Sequence, residues 1–412
     1  MMKKVGIAVA VSTLALSGML AGCSSGSEED GKTLTVWAMG EEGKALPKLV
    51  KEYEKANKGV TVKVQAIPWD TAHDKLLTAV ASKNGPDVVQ MGTSWMPEFV
   101  EAGALADMKD YVKKYPELAE DKFYKGSFDT VNLKGSVYGT PWYTDTRVLY
   151  YRKDTLEKVG YKEAPKTWEE LEEVSAKLSE RKGDDMYGIT LDTNDQMLSF
   201  MFARQNGSEL LTDKNKPLFN KPEFVESADY LSNYFKEGYA PIDFGMDIVQ
   251  AFGAKEPNVP MFISGPWMIN IINEQMPGIE KQWGTAVLPT KENNISFLGG
   301  ANLSIFESSK KKDQAAKFIS YMSQPETQTK WMEMTKSLPS TKEAWKNETL
   351  QNDEKLKTFG EQMENAQPMP LISTWEKVSQ TYLQSFEKMY RGKVKVEEEV
   401  NVFQKKAETI LK

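Results

Sequence analysis

The hydrophobic positions that follow residue 32 switch repeatedly between a strand period and a helix period. The stretch "TLTVW" (33–37) alternates apolar and polar residues, as a half-buried strand does. The stretch 45–57 instead places Leu46, Leu49 and Tyr53 on one helical face. Three further elements continue the pattern: a strand at 60–67, a helix at 70–83 and a strand at 86–91. Strands that alternate with amphipathic helices predict a parallel sheet covered on both faces.

A second group of elements repeats this style after residue 146. The stretch "RVLYYRK" (147–153) is typical of a strand, and 167–181 predicts a helix. Thr167 and Glu170 have the spacing of a capping box, which marks where that helix begins. The pattern continues with a strand at 186–191, a helix within 222–238, a strand at 259–264 and a mostly helical chain from 310 to 412. The chain is therefore predicted to be an α/β protein.

Tryptophans stand at four of the predicted strand ends, in or beside the loops that follow. These residues are Trp37, Trp69, Trp95 and Trp267. In open α/β sheets, ligands bind beyond the carboxyl ends of the strands. Because the indole N–H favours a half-exposed position, these side chains suit a cleft better than a core. The pattern predicts a ligand-binding cleft with aromatic walls.

The N-terminus has the composition of an export signal. "MMKK" is followed by an apolar run from Val5 to Leu20, which predicts a signal peptide over 1–22. The sequence Leu-Ala-Gly-Cys that ends at Cys23 resembles a lipobox, whose cysteine becomes acylated, for example with palmitate. A polar, flexible linker is expected at 23–32. The alternative is an ordinary signal peptide that carries Cys23 by accident.

Composition narrows the class of protein. Cys23 is the only cysteine, so no disulfide framework is expected even in an exported chain. The formal charge of −7 is well mixed along the chain, which argues against nucleic acid as a partner. No second apolar run approaches the length of a spanning helix, so a lipid on Cys23 is the expected membrane attachment. The length beyond the linker predicts two domains.

Several stretches together resemble one family. They are "TLTVW", "GPDVVQMGTSWMPEFVEAGAL", "YGTPWYTDTRVLYYRKD", "FISGPW" and "GTAVLPT…SFLGGANLSIF". In this order, and over essentially the whole mature chain, they look like an extracellular solute-binding protein of an ABC transporter. The type is the carbohydrate-binding one that is related to maltose-binding proteins.

The resemblance implies a two-lobe periplasmic-binding-protein-like fold. Each lobe is expected to hold a mostly parallel sheet flanked by helices, and three hinge crossings are expected to join the lobes. The implied boundaries are 33–143 plus 290–337 for the N-terminal lobe and 144–289 plus 338–412 for the C-terminal lobe.

The resemblance also implies a function. The protein is expected to capture an oligosaccharide between its lobes and to deliver it to the transmembrane subunits of an ABC permease. It is expected to be a monomer, anchored through Cys23 to the extracellular face of the cell membrane, without cofactor, metal or catalytic activity. One alternative is the same fold with a polyamine or peptide ligand. Another is a secreted glycoside hydrolase, for which Asp145 and Glu41 offer the two carboxylates required.

A sugar needs aromatic rings against its C–H faces and polar side chains at its hydroxyls, where charge-assisted hydrogen bonds are the stronger ones. The candidate stacking residues are Trp37, Trp69, Trp95, Tyr143, Trp267 and Trp375. The candidate hydroxyl-binding residues are Glu41, Asp70, Asp145, Arg147 and Asn302, and Gly300 is expected to let the backbone approach the ligand.

Each candidate also has a purely structural interpretation. The tryptophans can pack in the core, and Trp267 can lie under the start of a helix. Asp145 and Arg147 project to the same side of an extended segment, so they can form a hinge salt bridge without touching a ligand. Asp70 can serve only as the N-cap of its helix. Gly300 can serve only in a tight turn.

Overall fold

The computed structural model describes residues 33–412. The predicted signal peptide at 1–22, the lipidation site Cys23 and the linker at 23–32 lie outside the described residues. The strands are β1 (Thr33–Met39), β2 (Thr61–Ile67), β3 (Val88–Gly92), β4 (Asn132–Leu133), β5 (Ser136–Val137), β6 (Thr140–Asp145), β7 (Val148–Arg152), β8 (Met261–Ser264), β9 (Trp283–Ala286), β10 (Ser296–Phe297), β11 (Gly299–Ile305), β12 (Leu338–Pro339) and β13 (Ala366–Gln367).

Helices separate most of these strands. They are α1 (Gly40–Ala56), α2 (Trp69–Ser82), α3 (Met96–Glu101), α4 (Lys109–Lys114), α5 (Lys125–Asp129), α6 (Lys153–Lys158), α7 (Trp168–Ser179), α8 (Leu198–Gln205), α9 (Pro222–Lys236), α10 (Ile248–Gly253), α11 (Trp267–Gln275), α12 (Lys312–Met322), α13 (Pro325–Thr335), α14 (Glu348–Asn352), α15 (Glu354–Met363), α16 (Trp375–Tyr390) and α17 (Val396–Ile410). A 3-10 turn at Thr93–Trp95 joins β3 to α3. Among residues 33–412, no helix combines the length and the apolar character needed to cross a membrane.

Two principal sheets organise the described chain. The large sheet has the strand order β12-β6-β11-β3-β1-β2, and the small sheet has the order β8-β7-β9. Short two-stranded pairs, β4 with β5 and β10 with β13, accompany them. The predicted α/β class with two sheets flanked by helices is confirmed.

Strand direction differs from the mostly parallel sheets that were predicted. Only the β1–β2 and β1–β3 pairs of the large sheet are parallel. The other pairs of the large sheet and both pairs of the small sheet are antiparallel. The reason lies in the connections: β1, β3 and β6 leave the large sheet toward the small one, whereas β11 and β12 enter from that side. Strands that enter from opposite ends of a sheet must pair antiparallel.

The chain passes between the two sheets at three places, as the resemblance implied. Thr146 and Arg147 alone separate β6 from β7. A longer segment, 287–298, leads from β9 back to β11, with β10 near its end. The third passage follows β12, after which α15 packs against β9 and β7.

Helices bury both faces of the large sheet. On one face, Leu46 of α1 and Phe318 of α12 share a core with Trp142 of β6. On the other face, α2 and α3 contribute Leu76 and Phe99. The small sheet is likewise covered on both faces, by α7, α8, α9, α16 and α17 on one side and by α10, α11 and α15 on the other. These cores hold the strand ends of the two sheets in fixed positions.

The local signals in the sequence are only partly realised. Half of the capping box forms: the Thr167 hydroxyl accepts a hydrogen bond from the Glu170 amide at 3.2 Å, whereas the Glu170 carboxylate accepts from the Lys166 amide at 2.7 Å and not from that of Thr167. Helix α1 begins at Gly40, five residues before the predicted start at residue 45. The predicted strand at 186–191 makes only an isolated bridge, between Thr190 and Phe262.

Candidate ligand-binding cleft

A cavity of about 620 Å³ lies where the carboxyl ends of β1, β3 and β6 face the small sheet. Its volume is in the range of small-molecule binding sites, about 300–1,000 Å³. We call this cavity the interlobe cleft. Among the sequence candidates, the residues that line it are Glu41, Trp69, Trp95, Tyr143, Asp145, Arg147, Trp267 and Gly300.

Two tryptophan candidates lie outside the lining. Trp375 is completely buried, with its ring centroid 4.8 Å from that of Phe200. Helix α16 begins at Trp375 and turns this side chain into the core. Trp37 is half-buried within β1, which continues to Met39, so it is not a strand-end residue. The Lys75 ammonium covers the Trp37 ring at 4.8 Å from its centroid.

Two polar candidates also lie outside the lining. Asn302 is buried within β11, where its side-chain amide donates to the Thr130 hydroxyl at 3.1 Å. Asp70 is exposed on the first turn of α2. It does not cap that helix either, because α2 begins at Trp69 and Pro68 occupies the N-cap position.

One wall of the cleft is a pair of tryptophans on the large-sheet side. The centroids of Trp69 and Trp95 are 5.4 Å apart, in an edge-to-face arrangement. Trp95 is almost buried, whereas Trp69 is 38% exposed. A Cβ atom at Gly40, where φ is +55°, would lie 2.6 Å from Cδ1 of Trp69. Glycine at this turn therefore allows Trp69 to lie close to the start of α1.

The facing wall belongs to the small-sheet side and centres on Trp267. This residue starts α11, directly after the Gly-Pro that follows β8. A Cβ atom at Gly265 would lie 2.0 Å from Cζ3 of Trp267, so the indole folds back over its own backbone. The Arg147 guanidinium covers the ring, with Cζ 4.8 Å from the ring centroid.

Arg147 lies between two carboxylates at the junction of β6 and β7. Its Nη1 is 3.4 Å from Oδ2 of Asp145, and its Nε is 3.4 Å from Oδ2 of Asp195. Burial raises the pKa of Asp145, and the nearby Arg147 charge opposes part of that rise. Burial opposes the charge on Arg147, but the two carboxylates prevail and raise its pKa. Within the described residues, Nη1 of Arg147 and Oδ1 of Asp145 have no hydrogen-bond partner.

The floor of the cleft contains a carboxyl group that the sequence reasoning missed. Glu42 lies one residue after the predicted Glu41 and is buried at the start of α1. Burial raises the pKa of Glu42 to about 7, which a hydrogen bond with Tyr143 partly opposes. The Tyr143 hydroxyl accepts a hydrogen bond from Gln90 at 3.0 Å. Glu41, by contrast, is largely exposed and pairs with Lys44 at 2.6 Å.

The other residues that were missed come mainly from one loop and one helix start. The loop after the predicted 186–191 strand contributes Asp192, Asn194, Asp195, Gln196 and Met197, and the start of α16 contributes Glu376. Gln196 donates a hydrogen bond to Glu376 at 3.0 Å, so loop and helix are joined at the cleft. The polar run "LDTNDQ" after a predicted strand was a signal that could have found the loop.

The lining of the cleft combines aromatic and polar side chains. Residues 33–412 contain no group of three or more His, Cys, Asp or Glu side chains placed to hold a metal ion. Aromatic faces on both walls, with carboxyl, amide and guanidinium groups between them, match a ligand that has apolar faces and many hydroxyl groups.

Residues 37–329 match the family model described as bacterial extracellular solute-binding protein. The chain is 28% identical over 335 residues to the diacetylchitobiose binding protein DasA of Streptomyces coelicolor, covering 75% of this chain and 76% of that one. It is 25% identical to the galactooligosaccharide-binding protein of Bacillus subtilis, covering 87% of this chain and 85% of that one.

Solved structures show the same similarity. The sugar-binding protein MalE from Xanthomonas citri superposes with a TM-score of 0.82 at 35% identity, covering 92% of this chain and 97% of that one. An ABC transporter solute-binding protein from Thermotoga lettingae, bound with α-D-tagatose, gives a TM-score of 0.85 at 29% identity, covering 92% and 100%.

Proposed function

The chain belongs to the family of bacterial extracellular solute-binding proteins, and on that premise we propose that it is the oligosaccharide-binding component of an ABC importer. The observation that carries the proposal is the pair of tryptophans, Trp69 and Trp267, on opposite walls of one cleft. The names of relatives that bind diacetylchitobiose and galactooligosaccharide support the same ligand class.

Binding is proposed to close the two lobes around the sugar. Trp69 belongs to the large-sheet side and Trp267 to the small-sheet side, so only a closed cleft lets both rings contact one ligand. A shift from mostly open to mostly closed requires about 5.5 kcal/mol of preference for the closed form. Stacking on two rings, with hydrogen bonds to Asp145, Arg147 and the 192–197 loop, is proposed to supply it.

The permease is proposed to recognise the closed form. We propose lobe boundaries near 33–143 plus 290–337 and 144–289 plus 338–412. The rims of both lobes around the cleft are the proposed contact surface for the transmembrane subunits.

We also propose that the protein is a monomer. Light scattering of the purified protein tests this oligomeric state, and a stable dimer would contradict it.

We propose further that a lipid on Cys23 holds the protein at the extracellular face of the membrane. The Leu-Ala-Gly-Cys sequence that ends at Cys23 supports this attachment. A Cys23→Ser variant is expected to move from the membrane fraction to the medium. Retention of the variant in the membrane fraction would contradict the anchor.

One observation favours a different ligand in the same cleft. Several carboxyl groups line it, including Glu41, Glu42, Asp192 and Glu376, against the single arginine Arg147. A polyamine would suit such a lining, although the two tryptophan walls suit a sugar better. A hydrolase mechanism is not proposed, because Asp145 is engaged by Arg147 and Glu41 by Lys44.

Thermal unfolding of the protein from Ser27 onward separates these ligands. A ligand at one hundred times its Kd adds about 2.7 kcal/mol to the free energy of unfolding. We expect α- or β-linked oligosaccharides to raise Tm and polyamines and peptides to leave it unchanged. A response to amines or peptides without a response to any sugar would overturn the proposed ligand.

A further inference from the structure

A second cavity, of about 880 Å³, adjoins the interlobe cleft on the small-sheet side. The two cavities share four lining residues, namely Asp192, Asn194, Ile263 and Ser264. We call the second cavity the side groove and define it by the loop 241–247 on one side and helix α16 on the other. These four residues border both cavities, so a ligand held in the cleft lies directly beside the side groove.

The loop wall of the side groove is apolar. Every second residue of the loop, at Ile242, Phe244 and Met246, is a large hydrophobic side chain that lines the groove. Ile242 is 40% exposed and Met246 is 36% exposed, whereas most other large hydrophobic residues within 33–412 are buried. Clustered apolar side chains at a surface indicate a binding site.

The helical wall of the side groove is polar. Gln380, Gln384, Glu387 and Arg391 follow one another at spacings of three or four residues, so they share one face of α16 and its C-terminal end. Two exposed amides therefore face the apolar loop. Amides donate and accept hydrogen bonds, as sugar hydroxyls do.

An ion pair bridges the two walls. Nη1 of Arg391 lies 3.1 Å from Oδ2 of Asp243 in the loop, and its Nε lies 3.0 Å from Glu387 on the helix. The arginine charge is thus matched by two carboxylates within the groove. A neutral ligand fits this arrangement better than a phosphate or other anion, which would compete with these carboxylates.

From this geometry we infer that the side groove binds the distal units of an oligosaccharide whose first units lie between Trp69 and Trp267. The inference rests on the proposed function, since it extends the ligand of the same cleft. The apolar loop would contact the C–H faces of these units, and Gln380 and Gln384 would contact their hydroxyls. The ligand of this protein is therefore longer than a disaccharide.

The experiment measures Kd by calorimetry against sugars of increasing length. Two series are used, α-1,4-linked glucose and β-1,4-linked N-acetylglucosamine, each from the disaccharide to the pentasaccharide. For the series that binds, we expect Kd to fall about tenfold or more between the disaccharide and the tetrasaccharide, which corresponds to about 1.4 kcal/mol. Equal Kd values at all lengths would contradict the inference that the side groove binds distal sugar units, but would leave the proposed function unaffected.

Substitutions in the side groove test whether the dependence of Kd on sugar length arises there. Phe244→Ala and Gln384→Ala are each expected to weaken tetrasaccharide binding about tenfold and disaccharide binding less than twofold. Trp69→Ala, in the cleft, is expected to weaken both. Gln384 is exposed on α16, so Gln384→Ala keeps the test valid if Phe244→Ala fails to fold. Lys377→Ala, at an exposed position of the same helix outside the groove, is the matched control and is expected to change neither Kd.

Three other outcomes would contradict the inference. If Phe244→Ala and Gln384→Ala raise the Kd values of the disaccharide and the tetrasaccharide by the same factor, the groove does not hold the distal units. The same conclusion follows if the two variants change neither Kd. If no sugar of either series binds at any length, the proposed function fails together with the inference.

Discussion

Arg147 lies over the indole of Trp267, with its Cζ 4.8 Å from the ring centroid. Arg147 is also one of the two residues that separate β6 from β7, where the chain passes from the large sheet to the small one. The hinge is thus in direct contact with the aromatic wall of the cleft. A change at the hinge is expected to alter both the stability of the free protein and its affinity for ligand.

Replacing Arg147 by alanine tests the charge balance at the hinge. The substitution leaves the carboxylates of Asp145 and Asp195 without their shared counter-charge. Removing one partner of a buried ion pair costs about 3 kcal/mol of the free energy of unfolding, which urea titration of the ligand-free protein measures. The double variant Asp145→Asn/Arg147→Ala is expected to recover part of that loss. A loss in the double variant equal to the sum of the losses in Arg147→Ala and Asp145→Asn alone would show that the pair is not coupled.

The two tryptophans of the large-sheet wall are expected to behave differently when truncated. Trp69 is 38% exposed, so Trp69→Ala is expected to weaken sugar binding at least tenfold with little change in Tm. Trp95 belongs to the core cluster that also contains Phe99, so Trp95→Ala is expected to lower the free energy of unfolding by about 3 kcal/mol. Calorimetry measures the Kd for the sugar, and thermal unfolding of the ligand-free protein measures its stability. A large loss of stability in Trp69→Ala would make Trp69 a core residue instead of a ligand contact.

The buried carboxyl of Glu42 predicts a pH dependence of stability. Burial raises its pKa from 4.5 to about 7 in the folded protein, so the folded state holds a proton that the unfolded state has already released. The favourable contribution is complete below pH 4.5 and is lost as the pH rises to about 7. The loss amounts to about 3 kcal/mol.

Glu42→Gln isolates this effect, since glutamine keeps the size of the side chain and does not titrate. The difference in the free energy of unfolding between Glu42→Gln and the natural protein is expected to grow in favour of glutamine between pH 4.5 and pH 8. Urea titrations at both pH values measure it. A difference that stays constant with pH would mean that Glu42 ionises in the folded protein as it does in water.

Strand ends were readable from the sequence because a period-2 pattern stops where the loop begins. That signal placed Trp69, Trp95 and Trp267 at the cleft, and the structure brings all three to its lining. It misplaced Trp37 because β1 continues for two residues beyond it, to Met39. The 192–197 loop was missed although its polar run follows a predicted strand, because that run does not encode how the loop packs against α16.

Strand direction also could not be predicted from the pattern of the sequence. The alternation of strands and helices is the same whether a strand enters its sheet from the cleft side or from the opposite side. The antiparallel placement of β11 follows from the second of the three passages between the sheets, and β12 runs in the same direction as β11. Those passages are properties of the whole topology, and only the family resemblance anticipated them.

The start of α16 offers the sharpest test of side-chain placement, because adjacent residues point in directions about 100° apart on a helix. Trp375 is fully buried, whereas Glu376 lines the cleft and accepts a hydrogen bond from Gln196. Trp375→Phe is therefore expected to lower the Tm of the ligand-free protein by several degrees and to leave the sugar Kd within about twofold. Glu376→Gln is expected to do the reverse, with an unchanged Tm and a Kd raised severalfold. If Trp375→Phe instead weakens binding without affecting Tm, the indole contacts the ligand and α16 must begin in a different orientation from the one described.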